Sequence, residues 1–201
     1  SPQVNALQLG GKPFRRPNIP EKSTGWPVDL AQQACQTVAH SSNTASYNQF
    51  MKLLSRILPV ENIVLELAVT SKKRVFEQAG LLFENKHGLE RAAVYESLFS
   101  RERLGSTGLG AGIAVPHGRV KGLNHSVAAF FRLANPIAFE APDGLPVNQL
   151  LFLLAPESDA QQHLDILAEV AQLFSDDSFR LALARETDIT VVHRLLTTGL
   201  V

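Results

Sequence analysis

The sequence predicts an α/β fold, a compact sandwich in which a mixed β-sheet is flanked by helices on both faces. Three observations carry this expectation. Ser126 to Leu133 alternates Val127, Ala129, Phe131 and Leu133 on one side, the period-two signature of a strand. Leu150 to Leu154 is apolar without a break, as a central strand covered on both faces requires. Segments of helical periodicity stand before and after these strands, so both faces can be covered.

Taken in order, residues 1–50 differ from the rest. Pro2, Pro13, Pro17, Pro20 and Pro27 fall here and sustained periodicity is missing, which reads as a loosely structured extension. Met51 is the only methionine, so we expect 1–50 to be vector-derived or upstream of the usual start; the competing reading is a regulatory tail. A short helix from Asp29 to His40 is compatible with Leu30, Ala34 and Val38. Residues 51–201 form the expected domain. Leu58 to Leu67 is predicted as a strand, with Ile63, Leu65 and Leu67 alternating. A helix follows, capped by Ser71, carrying Val75, Ala79 and Leu82, and ending at Gly88. A second helix runs from Glu90 to Leu104 with Val94, Leu98 and Phe99 inward, and stops at Gly105. Ile137 to Phe139 is expected to add a short strand before the Asp143-Gly144 turn. After the central strand, Asp159 caps a helix with Gln162 completing a capping box, and Leu164, Leu167, Ala171 and Phe174 form its apolar stripe. Helices at Ser178–Arg185 and Ile189–Leu196 close the chain.

Composition excludes several classes. The chain has 19 basic and 19 acidic residues, so its overall charge does not argue for nucleic acid or an anionic membrane as partner. Cys35 is the single cysteine; an intrachain disulfide is impossible, and a reducing cytoplasm is the expected compartment. No stretch is long and apolar enough to insert in a membrane. No cysteine–histidine cluster and no HExxH spacing points to a metal, and no cofactor is expected.

The chemistry concentrates in Arg101 to Arg119, RERLGSTGLGAGIAVPHGR. Glycines bare their backbone N–H groups, so this run beside basic side chains is a candidate anion cradle. Pro116 biases Val115 toward extended backbone and would hold His117 on stiff chain. Arg101, three residues after Leu98, leaves the edge of the buried helix face rather than its solvent side. On residues alone, a glycine-rich turn is first a loop requirement, His163 a surface or capping residue, and Arg101 a solvated helix end. His40, His87, His125 and His193 keep that ordinary reading. The glycines lack the rest of a dinucleotide fingerprint and no Walker lysine follows them.

The segments Arg101-Glu-Arg-Leu-Gly-Ser-Thr-Gly108 and Gly112-Ile-Ala-Val-Pro-His-Gly-Arg119 resemble the phosphorylation motif of the fructose/mannitol-type enzyme IIA components of the bacterial phosphotransferase system, and most nearly the nitrogen-regulatory branch. The resemblance runs from Met51 to about Thr198 and includes Pro136-Ile-Ala-Phe139, Asp143-Gly144 with Pro146-Val147, and Gln162-His-Leu164. It implies that His117 is the phosphorylated residue, reacting through Nε2, with Arg101 and His163 in the same site and the mixed-sheet sandwich as the fold. It also implies an HPr-like phosphohistidine carrier as donor and regulatory target proteins as further partners. Chemically, the acceptor imidazole must be neutral with its tautomer fixed, and a nearby guanidinium favours that form. His163, in the first turn of its helix, lies where a neutral imidazole and an anion are both favoured. Thr107, Gly108, Gly110 and Gly112 are weaker candidates for phosphoryl contact. Three functions follow as alternatives: a regulatory phosphocarrier, a sugar-specific IIA feeding a IIB domain, and a binding module whose histidine is never modified.

Overall fold

The computed structural model describes residues 53–200, so the N-terminal extension and the Asp29–His40 helix lie outside the described residues. The elements are α1 (Leu54–Ile57), a 3₁₀ turn (Val60–Asn62), β1 (Ile63–Leu67), α2 (Lys72–His87), α3 (Arg91–Arg103), β2 (Gly108–Gly110), β3 (Ile113–Ala114), β4 (His117–Val120), β5 (Val127–Ile137), β6 (Val147–Pro156), α4 (Ala160–Ser175), α5 (Asp177–Arg185) and α6 (Ile189–Thr198). No helix among the described residues is long and apolar enough to cross a membrane.

The sheet is mixed, in the order β1-β5-β6-β3-β2, with β4 also pairing with β6. Strand β6 is its spine. It runs antiparallel to β5 and parallel to both β3 and β4, which pair with successive stretches of it. Residue parity sorts β6 between two cores: Leu150, Phe152 and Leu154 face α2 and α3, whereas Leu151 and Leu153 face α1, α4, α5 and α6. Along β5 the parity is reversed, with Val127, Ala129, Phe131 and Leu133 on the α2–α3 side and Ala128 and Phe130 on the other. This is the predicted two-faced sandwich.

Helix ends follow their local chemistry. Ser71 Oγ accepts the N–H of Arg74 at 3.3 Å, and Gly88 closes α2 with φ of 66°, a left-handed conformation that glycine adopts without penalty. Asp159 accepts from the N–H of Gln162 at 3.1 Å. The reciprocal half of the expected capping box is replaced, because Gln162 Oε1 accepts from Ser126 Oγ at 3.4 Å instead.

Three expectations need correction. Pro59 begins a 3₁₀ turn rather than a strand, and β1 starts at Ile63. Ile137 ends β5, reached through an irregularity after Arg132, so Ile137–Phe139 is not a separate strand. The buried face of α4 is His163, Ile166, Glu169, Val170, Leu173 and Phe174, while Leu164 is half exposed. Two polar residues sit on that inward face, which disguised its phase. Glu169 earns its burial by accepting the N–H groups of Leu54 at 2.9 Å and Leu53 at 3.3 Å.

Candidate functional site

The β3–β4 line breaks at Val115-Pro116, and the break sets the site. Pro116 has no N–H to give, and its carbonyl accepts from Leu153 at 2.9 Å, keeping the chain attached to β6. Val115 turns away from the ladder: its N–H donates to Thr107 O at 3.0 Å, and its carbonyl lies 2.9 Å from Nδ1 of His117. On the opposite side of the ring, Arg101 Nε donates to His117 Nε2 at 3.0 Å. A carbonyl can only accept and a guanidinium can only donate, so together they define the tautomer. His117 carries its proton on Nδ1 and a lone pair on Nε2.

The two helical layers meet at this ring. Arg101 comes from the last turn of α3, and its Nη1 also donates to Gly105 O at 2.9 Å. His163 comes from the first turn of α4 on the other layer, with its ring centroid 5.4 Å from that of His117. His163 is buried, and its Nδ1 has no hydrogen-bond partner among the described residues. The sheet end carrying His117 is thus where a guanidinium from one face and an imidazole from the other converge.

Electrostatics reinforce the tautomer. Burial lowers the His117 pKa to about 4, assisted by the charge of Arg101 and by His163, and opposed by the hydrogen bond to Val115. Burial also lowers the pKa of His163, with Arg119 and Arg101 adding to the effect. Both shifts favour the neutral ring.

Close packing fixes where α3 lies against β4. A Cβ on Gly118 would meet Ser97 Oγ at 2.2 Å and the Ser97 carbonyl carbon at 3.1 Å, so only glycine lets helix and strand approach this far. Ser97 Oγ donates to Arg119 O at 2.8 Å. Arg101 stands one turn beyond Ser97 on the same helix face, and this contact therefore aims it at His117. Neither Ser97 nor Gly118 stood out among the candidate residues; the signal was a glycine beside the histidine in a strand that otherwise has no need of one.

The structure brings His117, Arg101 and His163 together but does not bring the weaker candidates to the ring. Gly108 to Gly112 form the β2–β3 hairpin. Through Ala114↔Leu150 and Ile113↔Gln149, against His117↔Leu153, that hairpin lies three to four β6 residues away, about 10–13 Å. Its amides have other partners: Gly108 N–H donates to Ser106 Oγ at 3.1 Å and Ala111 N–H to Asp143 Oδ2 at 2.7 Å. Gly110 and Gly112 lie against the 143–148 segment, where a Cβ on Gly110 would sit 3.1 Å from Asp143 Oδ2. Thr107 is buried, and both its N–H (3.0 Å) and its hydroxyl (2.6 Å) donate to Glu102 Oε2. Among the described residues no group of His, Cys, Asp and Glu is arranged to hold a metal ion.

Comparison with known proteins identifies the family. Residues 56–198 match the family described as Phosphoenolpyruvate-dependent sugar phosphotransferase system, EIIA 2. A nitrogen regulatory protein of Bradyrhizobium diazoefficiens is 35% identical over 143 residues, covering 71% of this chain and 94% of the relative. The crystal structure of nitrogen regulatory protein IIA-Ntr from Neisseria meningitidis is similar with a TM-score of 0.70 and 46% identity, covering 73% of this chain and all of that one. IIA mannitol from Escherichia coli is similar at 25% identity and a TM-score of 0.59, covering 69% of this chain and 97% of that one. A chain matched over this length by the family, with a mixed sheet and two helical layers like those of its solved relatives, belongs to the EIIA 2 family of the phosphotransferase system and is similar to its IIA-Ntr nitrogen regulatory members.

Proposed function

We propose that the chain is a regulatory phosphocarrier of the cytoplasm, phosphorylated on His117 by an HPr-like phosphohistidine protein and controlling partner proteins through its phosphorylation state. One observation carries this reading: a neutral imidazole with its proton tied to Val115 O and its Nε2 lone pair under a guanidinium.

The chemistry follows from those atoms. The Nε2 lone pair attacks the phosphorus of the donor's phosphohistidine, an N–P bond forms, and the donor's own N–P bond breaks with its electron pair returning to the donor imidazole. Because Nδ1–H stays on Val115 O, no proton has to leave His117. Arg101 must release Nε2 as phosphorus arrives and transfers its hydrogen bonding to the phosphoryl oxygens, where the developing charge lies. Arginines in comparable positions are worth ~10³–10⁵ in rate. His163, whose ring centroid is 5.4 Å from that of His117, supplies a further N–H donor in this reading. The phosphoryl group itself carries close to two negative charges, which alters complementarity with any partner docked there.

The test is labelling with phosphoenolpyruvate, enzyme I and the HPr-like carrier, scored as an acid-labile phosphoryl group. Wild type should label, His117→Ala should not, and Arg101→Ala should label at least tenfold more slowly, roughly the floor for losing such a contact. An unlabelled wild type would end the phosphocarrier reading. The likeness to IIA mannitol favours one alternative, a sugar-specific IIA passing phosphate to a IIB domain; onward transfer to such a domain distinguishes the two.

A further inference from the structure

Thr107, whose hydroxyl donates to Glu102, lies at the junction of two hydrogen-bond chains. The first leads to His117: Val115 N–H donates to Thr107 O at 3.0 Å, and Val115 O holds Nδ1 of His117 at 2.9 Å. The second leads to Arg101. Thr107 N–H and Oγ1 both donate to Glu102 Oε2, closing residues 102–107 into a short loop, and that loop contains Gly105, whose carbonyl holds Arg101 Nη1 at 2.9 Å. Both members of the reactive pair are thus linked to this one residue.

The anchor behind Thr107 is rigid and charged. Glu102 is buried at 7% exposure; its second oxygen, Oε1, accepts from Lys72 Nζ at 2.8 Å. Lys72 is held in turn by Phe139 O at 3.0 Å and by the Phe139 ring, whose centroid is 4.4 Å from Nζ. Successive residues on a helix point about 100° apart, so Arg101 and Glu102 at the end of α3 divide the work. Arg101 faces the imidazole, and Glu102 faces the loop that holds it. A buried carboxylate sharing three donors among its two oxygens is strongly specified in position, since losing any of them leaves a buried polar group unpaired.

We propose that Thr107, pegged to Glu102, is a positioning residue that sets the distance between Arg101 and His117 and keeps the His117 proton on Nδ1. The kinetic half of this proposal rests on His117 being the phosphoryl acceptor; the tautomer half does not. The peg acts from behind the site and touches neither phosphate nor partner.

Thr107→Val keeps the side-chain shape and removes the hydroxyl, whereas Thr107→Ser keeps the hydroxyl. Two readouts apply: steady-state labelling by the phosphorylated HPr-like carrier, and ¹⁵N spectra of the histidine rings without any donor. For Thr107→Val we expect the maximal rate to fall about ten- to a hundredfold, the penalty of misplacement by a fraction of an ångström to one ångström, with KM for the carrier changed less than about twofold. In the same variant the His117 ¹⁵N signals should move from a pure Nδ1–H tautomer to a mixture, and Thr107→Ser should restore both readouts. Unchanged rate and unmixed tautomer in Thr107→Val would overturn the proposal, as would Thr107→Ser behaving as badly as Thr107→Val. Thermal unfolding is followed in parallel. If Thr107→Val is unfolded at the assay temperature, Glu102→Gln, which is similar in shape, carries the same two expectations. Should wild type itself fail to label, the phosphocarrier reading falls, and the ring spectra of wild type and variant still decide whether the peg exists.

Discussion

A neutral His117 across the whole physiological pH range is the sharpest quantitative expectation. With a pKa of about 4, His117 is roughly 99% neutral at pH 6, whereas an imidazole at the unperturbed value of 6.5 would be only about 24% neutral. The perturbation is pH alone, and the direct assay is the titration of the His117 Cε1–H resonance. Stability offers an independent check with a definite sign. The folded pKa lies below the unfolded one, so between about 4 and 6.5 the unfolded chain binds more protons at this residue. The residue's contribution is complete above pH 6.5 and is lost as pH falls toward 4. Between pH 8 and pH 5 the loss works out at about 2 kcal/mol, from the two pKa values and the linkage relation. Urea unfolding of wild type and of His117→Gln, which does not titrate, isolates this term as the difference between the two pH dependences. A midpoint near 6.5 in the resonance titration, or parallel stability curves for the two proteins, would refute the burial argument.

Other perturbations follow from packing, burial and exposure. Gly118→Ala places a methyl against Ser97 and pushes α3 outward; overpacking of this kind costs about 1–3 kcal/mol, read by thermal unfolding, and should lengthen the Arg101–His117 contact enough to slow labelling by tenfold or more. Arg132 is buried and donates to the Leu183 and Glu186 carbonyls at the end of α5 as well as to Glu66, so Arg132→Met should cost about 3 kcal/mol in urea; Glu66→Gln, at the exposed end of the pair, should cost under about 1 kcal/mol. Leu164 is half exposed and adjoins His163 in sequence; on the proposed docking of the carrier over that ring, Leu164→Asp should raise KM for the carrier while leaving the maximal rate near that of wild type, and an unchanged KM would remove Leu164 from the contact.

How much of this could be read from the residues alone varied with how local the cause was. Ser71, Gly88 and Asp159 announced helix ends because a cap is decided within four residues. Leu150 to Leu154 announced a central strand because burial on both faces leaves no room for polar side chains. The phase of α4 was hidden, since His163 and Glu169 occupy its inward face for reasons lying in other elements: the site for one, the N–H groups of Leu53 and Leu54 for the other. Thr107 was similarly opaque. Its place in the motif suggested contact with phosphate, but the direction of a hydroxyl depends on which acceptor is nearer, and Glu102 on the adjoining helix end is 2.6 Å away. The glycines were misleading in the same manner, because a positive φ or a missing Cβ says that backbone comes close to something without saying to what. For Gly118 it is α3, and for Gly110 it is Asp143.

The sequence distances within the site carry a consequence for folding order. Arg101 and His117 are separated by 16 positions and their tethers lie between them, so the reactive pair closes over a short loop at little entropic cost. The sheet is different: β1 pairs with β5 at Ile63↔Phe130, and His163 arrives only after β6 has been laid down. Local contacts form before distant ones repay their loop closure. The pair can thus be in register before the chain that buries it has docked, and transient undocking of α4 should leave the geometry intact while admitting water. In hydrogen exchange, amides of α4 should therefore open at lower free energy than the Val115 amide, which is held by Thr107 inside the short loop.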